Sequence, residues 1–241
     1  MPTDEPQARP SSTVVLVRPG DDAPEIFMVK RHRKASFGSS FAFPGGVVEA
    51  SDSLVHDLSQ GLAAARANQL LAVEGDALDY YSAAIRELFE ESGVLLADHD
   101  LATDDLAEVR NALNAGTLAW DRFAADNDLS LQYDRLHYFS FWITPVGMPK
   151  RYSARFFLAQ VPKAQVAIHD GSELTESCWM PAAEILVARK NKDMKLPYVT
   201  RKTLKRVAEF ESPEELIRWA QACGDKGVVC DQLAYSPELL Q

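Results

Sequence analysis

Arg86-Glu87-Leu88-Phe89-Glu90-Glu91-Ser92-Gly93-Val94 crowds three carboxylates between an arginine and a glycine. On a helix, Glu87 and Glu91 are i,i+4 neighbours and Glu90 is i+3 from Glu87, so all three project from one side. Tyr81, Ile85, Leu88 and Phe89 fall on the other side and can anchor the helix in a core. Like charges packed this way repel. A hard divalent cation offsets that repulsion, and Mg²⁺ takes few carboxylates plus waters and substrate phosphates. Arg86 is i,i+4 from Glu90, and its planar fork suits holding carboxylates in orientation. Taken alone, an E-x-x-E-E run is better read as a solvated helix face.

Upstream stands Phe43-Pro44-Gly45-Gly46-Val47-Val48-Glu49-Ala50-Ser51-Asp52, an apolar stretch, a turn and an acid. Together the two segments resemble the Nudix hydrolase signature, G-x5-E-x7-R-E-U-x-E-E-x-G-U with U apolar. Gly46 matches the first glycine, and Asp52 stands where the family has its first glutamate. Arg86, Glu87, Leu88, Glu90, Glu91, Gly93 and Val94 match the rest without a gap. There are two departures. Asp52 is one methylene shorter than the family's glutamate, and the seven-residue spacer becomes the segment Ser53 to Ile85. That segment reads as a helix from about Leu54 to Ala72, then a Glu74-Gly75-Asp76 break, with Asp76 as N-cap of the acidic helix. The excursion is expected to leave Gly46 and Glu87 together. The split box resembles a Nudix branch that includes the peroxisomal coenzyme A diphosphatases of animals and many bacterial relatives. Segments 138–145, 149–157 and 169–173 and the Trp179-Met180-Pro181 step resemble that branch too, so the similarity covers about residues 11–210.

The resemblance implies an α/β (α+β) fold, a Nudix-type α/β/α sandwich with a mixed β-sheet and extra helical insertions. It implies a flexible N-terminus over residues 1–10 and one domain over 11–241. The insertion would span about 53–80, with C-terminal helices at about 197–223. It implies Mg²⁺ or Mn²⁺ as cofactor, held by the Gly46 carbonyl, Glu87, Glu90, Glu91 and a carboxylate from a distant loop. Glu173 is the choice for that last ligand or base, with Asp170 and Glu176 competing. Arg86 would orient the carboxylates, Asp52 included. Ala83 and Ala84, one turn earlier, would leave room for a pyrophosphate. Arg31, Arg33 and Lys34 form one cationic cluster, and Arg151 and Arg155 another. Arg31, Arg151 and Arg155 are the candidate phosphate contacts, while Arg33 and Lys34 read equally well as solvated strand-end charges.

The implied reaction is hydrolysis of the diphosphate bond in a nucleoside diphosphate linked to another moiety. Coenzyme A or an acyl derivative leads, and ADP-ribose and dinucleotides follow. A Nudix-fold ligand-binding module without turnover is the reading from another class. Lys30 to Gly38 only partly matches the further motif that coenzyme A relatives carry before the Gly-Gly turn.

Composition fits a soluble enzyme and adds little beyond that. Of 241 residues, 25 are Lys or Arg and 35 are Asp or Glu, a formal charge of −10 that disfavours a nucleic-acid surface. Cys178, Cys223 and Cys230 are odd in number and widely spaced, which reads as reduced thiols. No signal segment or membrane-length apolar run is evident, and the final Leu239-Leu240-Gln241 is not an S-K-L address, so a cytoplasmic location is expected. The expected partners are a small-molecule diphosphate and, as one option, a second copy in a homodimer, with no nucleic acid and no membrane.

Periodicity sets the remaining elements. Ser12–Val17 and Glu25–Arg31 read as a hairpin across a Pro/Gly/Asp turn. Further strands are expected at His137–Ile143, Arg155–Val161 and Trp179. Helices are expected at Asp104–Asn114, Leu118–Asp126, Ala182–Arg189, Tyr198–Phe210 and Pro213–Cys223. Ser212 and Pro213 provide the last helix with an N-cap and a first-turn proline.

Overall fold

The computed structural model describes residues 6–31, 39–171 and 174–232. It opens with β1 (Arg9–Arg18), β2 (Glu25–Arg31), β3 (Phe41–Ala42) and β4 (Gly45–Val47). A 3₁₀ stretch, Ala50–Leu58, leads into β5 (Ser59–Gln60), α1 (Ala64–Leu71) and the long α2 (Ala77–Ser92). Then come β6 (Ala97–Asp98), α3 (Thr103–Asn114), α4 (Trp120–Asp126) and β7 (Ser130–Gln132). The chain continues through β8 (His137–Ile143), β9 (Tyr152–Gln160), β10 (Leu174–Pro181), α5 (Ala182–Lys190), α6 (Tyr198–Val207), α7 (Pro213–Lys226) and β11 (Cys230–Gln232).

The main sheet runs β10-β2-β1-β9-β8-β11, with β3 on β2 and β4 on β1. It is mixed. β1 is parallel to β9 from Arg9↔Tyr152 to Val17↔Gln160, while β2 and β4 are antiparallel to β1. A small second sheet pairs β5 and β6 with β7.

Alternation along β1 explains the layers, because successive side chains in a strand point to opposite faces. Val14 and Leu16 join Tyr81, Ile85 and Leu88 of α2 in one core. Val15 and Val17 join Phe156, Leu158, Ile185, Leu204 and Leu216 in the other, under α5, α6 and α7. With both faces covered, the central strands read as near-continuous apolar runs. The result is an α/β/α sandwich, as the resemblance implied.

Two expectations are corrected. The helix expected from Leu54 to Ala72 is broken into the 3₁₀ stretch, β5 and α1. Gly61 takes a φ of +78°, which ends helical winding, and the chain before it pairs with β7 through Ser59↔Leu131. Asp76 does precede α2, but in a left-handed conformation with no side-chain capping bond. Ser212, by contrast, caps α7 as expected, its Oγ accepting from the Glu215 N–H at 3.3 Å.

Candidate functional site

The apolar side of α2 is buried against the sheet, which fixes how its acidic side is presented. Arg86 is 3 % exposed and stands at the centre of that side. Its Nε and Nη2 donate to Asp52 Oδ1 and Oδ2 at 3.0 Å each. Nη2 also donates to the Val47 carbonyl at 2.9 Å, while Nη1 donates to Glu87 Oε1 at 2.9 Å and Glu90 Oε2 at 3.2 Å. One guanidinium thus ties the turn after β4 to two carboxylates of α2. Burial works against its charge, but the Asp52 hydrogen bond and the charges of Glu87, Asp52 and Glu90 outweigh it and hold Arg86 well above its ordinary pKa.

Asp52 is fully buried and fully engaged. Besides Arg86 it accepts from the Glu49 N–H at 2.8 Å and the Ser82 hydroxyl at 3.2 Å. Ser82 in turn accepts from Trp120 Nε1 of α4 at 3.3 Å. The shorter aspartate is therefore accommodated, and the inserted elements pack around it. Nothing in the sequence marked Ser82 or Trp120, whose partners are remote in the chain.

Gly46 and Glu87 meet, so the split halves of the box assemble. The missing Cβ at Gly46 leaves the space that the Glu87 carboxylate fills. The Gly45 N–H donates to Glu91 Oε2 at 2.8 Å. Gly45, Gly46, Glu87 and Glu91 form the polar end of a cleft of about 430 Å³. Its other wall includes Trp142, Ile143, Met148, Tyr152 and Tyr198, with Arg9 paired to Tyr152. Tyr198, from α6, had no sequence signal.

Glu90 is not part of that lining. Burial pushes its carboxyl up to about 7, Arg86 opposes this, and Glu87 adds to it. Glu87, Glu90 and Glu91 offer only hard oxygen donors, which suits Mg²⁺ or Mn²⁺ and not a thiolate-seeking ion. Among the described residues no three acids, imidazoles or thiols converge into a ready cage. A cation that keeps waters and takes substrate phosphates needs only one or two protein carboxylates, so the donor set fits.

The remaining expected site residues are scattered. Ala83 and Ala84 are fully buried and leave no open room for a pyrophosphate, because the helix turns them into the packed interior. Arg151 donates from Nε to the Thr144 carbonyl at 3.2 Å and from Nη1 to the Pro6 carbonyl at 2.9 Å, bracing the β8–β9 turn. Arg155 is buried and stacked over Phe141, 3.3 Å from the ring centroid, with Nη1 donating to the Tyr138 hydroxyl at 3.0 Å. It does not line the cleft, since Ala154 and Phe156 on either side of it do. Asp170 accepts from the Leu174 N–H at 3.0 Å, and Glu176 pairs with Lys30 at 2.8 Å. His169 Nδ1 lies 2.9 Å from Ser177 Oγ. Glu173, Arg33, Lys34 and the Arg31 side chain lie outside the described residues. No helix among the described residues is long and apolar enough to cross a membrane.

Comparison with known proteins adds to this geometry. A family model described as the NUDT19 Nudix domain matches residues 57–207, which include Arg86 to Val94 but begin after Gly46 and Asp52. "Putative nudix hydrolase 7" of Caenorhabditis elegans is 26 % identical over 164 residues, covering 66 % of this chain and 47 % of that protein. The chain thus spans about half the length of that curated relative. The crystal structure of a NUDIX hydrolase from Alicyclobacillus acidocaldarius superposes with a TM-score of 0.70 at 25 % identity, covering 88 % of this chain and 96 % of that one.

Proposed function

The chain belongs to the Nudix hydrolases, with a Nudix domain of the NUDT19 type, and from that premise we propose that it hydrolyses the diphosphate bond of a nucleoside diphosphate linked to another moiety, dependent on Mg²⁺ or Mn²⁺. Coenzyme A or an acyl derivative is the leading substrate. One observation carries the reading. Arg86 holds Asp52, Glu87 and Glu90 in a single buried network at the edge of a cleft whose polar end is Gly45, Gly46, Glu87 and Glu91.

In this reading Glu87, Glu90, Glu91 and the Gly46 carbonyl would hold the cation. When bound, it would neutralise the diphosphate oxygens and lower the pKa of a water. Arg86 fixes the rotamers of Glu87 and Glu90, so little reorganisation is left for the reaction. The missing Cβ at Gly46 lets Glu87 pack against the turn at the polar end of the cleft. The wall of Trp142, Met148, Tyr152 and Tyr198 excludes water and packs the group beyond the diphosphate. Such an apolar, aromatic wall suits an acyl or pantetheine arm and equally a stacked base.

The test is a panel of diphosphates assayed with Mg²⁺ and with Mn²⁺, followed by product analysis. Two phosphate-bearing products without inorganic phosphate are expected, and from coenzyme A these are 3′,5′-ADP and a phosphopantetheine fragment. Preference for ADP-ribose or a dinucleotide would move the substrate. Failure of every diphosphate under every metal condition would favour the binding module.

A further inference from the structure

Arg110 belongs to α3, outside both halves of the box, yet its side chain runs to the C-terminal end of α2. Its Nε donates to the Glu90 backbone carbonyl at 2.9 Å. Asn114 Nδ2, one turn further along α3, donates to the same carbonyl at 3.1 Å. That oxygen is one of the last four carbonyls of α2, which have no donor within the helix. The Val94 N–H that would have continued the ladder is directed to Ser92 Oγ instead, at 3.2 Å.

Gly93 ends the helix at a φ of +76°, and a Cβ there would stand 3.2 Å from Arg110 Nη1. The glycine thus serves the left-handed cap and also the close approach of the guanidinium. Arg110 is 9 % exposed, and its Nη2 is buried with no hydrogen-bond partner among the described residues. Burial lowers its pKa, while the charges of Asp170 and Glu91 oppose that, so both acids lie within its electrostatic reach. The loop bearing Asp170 is hooked to the same helix end, where the Ile168 N–H donates to the Ser92 carbonyl at 2.9 Å.

We propose that Arg110 is a positioning residue for the reaction, locking the helical turn that carries Glu90 and Glu91 against α3. The inference rests on the reading of Glu90 and Glu91 as the metal-holding acids. A charged donor to a carbonyl is a stronger tether than a neutral one. It also places a cation at the negative end of the α2 dipole, beside the acids that most need one. An appended helix thereby controls the backbone of the acidic turn without touching substrate. Groups of this kind act on the reacting centre through the residues they orient, so their loss shows in turnover and metal affinity more than in substrate affinity.

The experiment compares wild type with Arg110→Ala, Arg110→Lys and Asn114→Ala. It measures kcat, KM, thermal melting, and Mn²⁺ binding to the free protein by electron paramagnetic resonance. Arg110→Ala should lower kcat and weaken Mn²⁺ binding by about 10–100-fold, with KM nearly constant. Arg110→Lys, which keeps charge and one donor, should recover part of both. Asn114→Ala should do less than Arg110→Ala. Wild-type kcat and Mn²⁺ affinity in Arg110→Ala below its melting temperature would overturn the proposal. Equal losses in Asn114→Ala and Arg110→Ala would reduce Arg110 to a simple cap and overturn it as well. If Arg110→Ala does not fold, Arg110→Lys decides: unchanged Mn²⁺ affinity overturns, a partial loss supports. If wild type cleaves no diphosphate, the proposed activity fails, while the Mn²⁺ titration still judges Arg110.

Discussion

Of the three buried arginines that meet α2 among the described residues, Arg86 and Arg155 are held by opposite chemistry. Arg86, on the C-terminal half of α2, sits among Asp52, Glu87 and Glu90. Arg155 projects from β9 toward the N-terminal half, where the rings of Phe141, Tyr138 and Tyr80 surround its guanidinium. The first network joins charges that are costly to bury alone, so each member depends on the others. The second spreads one charge over ring faces and a phenol, and its members are apolar enough to survive the loss of a partner. Charge-on-charge packing marks the end of α2 that meets the cleft. Charge-on-ring packing marks the end that only supports the sheet.

The sharpest way to break the contrast is by activity. Glu90→Gln keeps size and removes charge, and should lower turnover by at least about 100-fold while the fold persists. Arg155→Met should leave turnover nearly unchanged. Steady-state kinetics on the two variants decide this. A comparable loss in Arg155→Met would return Arg155 to the substrate contacts that the sequence suggested.

Stability should separate the pair next. Arg86→Met strands the fully buried Asp52 beside two further acids and should cost about 3–5 kcal/mol. Arg155→Met loses ring contacts and one hydrogen bond, about 1–2 kcal/mol. Urea unfolding measures both, and equal losses would erase the contrast.

Glu90 brings pH into the comparison. Its folded pKa of about 7 lies above the ordinary 4.5, so the folded state holds that proton more tightly than the unfolded chain does. The associated stability is complete below pH 4.5 and is lost as pH rises through 7. The loss is at most about 3–4 kcal/mol, since the carboxyl moves from 4.5 to about 7. In excess chelator, wild type should therefore melt lower at pH 8 than at pH 5, and Glu90→Gln should lack that component of the slope. Identical slopes would show that the Glu90 charge is already compensated.

The smallest effect is expected at His137, away from both arginines. Burial lowers its pKa below 6.5, and Asp134 only partly opposes this. The unfolded chain then takes up the proton first, so stability falls as pH drops below 6.5. His137→Gln should flatten that acid-side decline in melting temperature, and an unchanged decline would assign it to other groups.

Much of the frame was legible because local rules and tertiary packing agree there. His137–Ile143 is a strand with the expected bounds, and α7 starts where Ser212 and Pro213 direct it. The expected helix from Leu54 to Ala72 misled because β5 finds its partner in β7, far along the chain, and pairing across that distance leaves no local periodic trace. The same holds within the site. Arg86, Glu87, Glu90 and Glu91 were visible because one helix carries them at fixed spacing. Ser82, Trp120, Arg110 and Tyr198 were not, because their roles depend on what packs beside them.

The sequence by itself determined the acidic helix, the split box and the mixed α/β class, since each follows from spacing along one element or from motif residues read in order. Only the tertiary structure decided which cations those acids meet. Arg86 and Arg155 are both arginines in segments that resemble the same family, yet strand alternation turns Arg155 to the face opposite the cleft-lining Ala154 and Phe156, among aromatic rings. The turn after Gly46 delivers Asp52 to Arg86, and α3 brings Arg110 to the end of α2. Side-chain partners separated by tens of residues are selected by packing in three dimensions, and linear spacing carries no record of that selection.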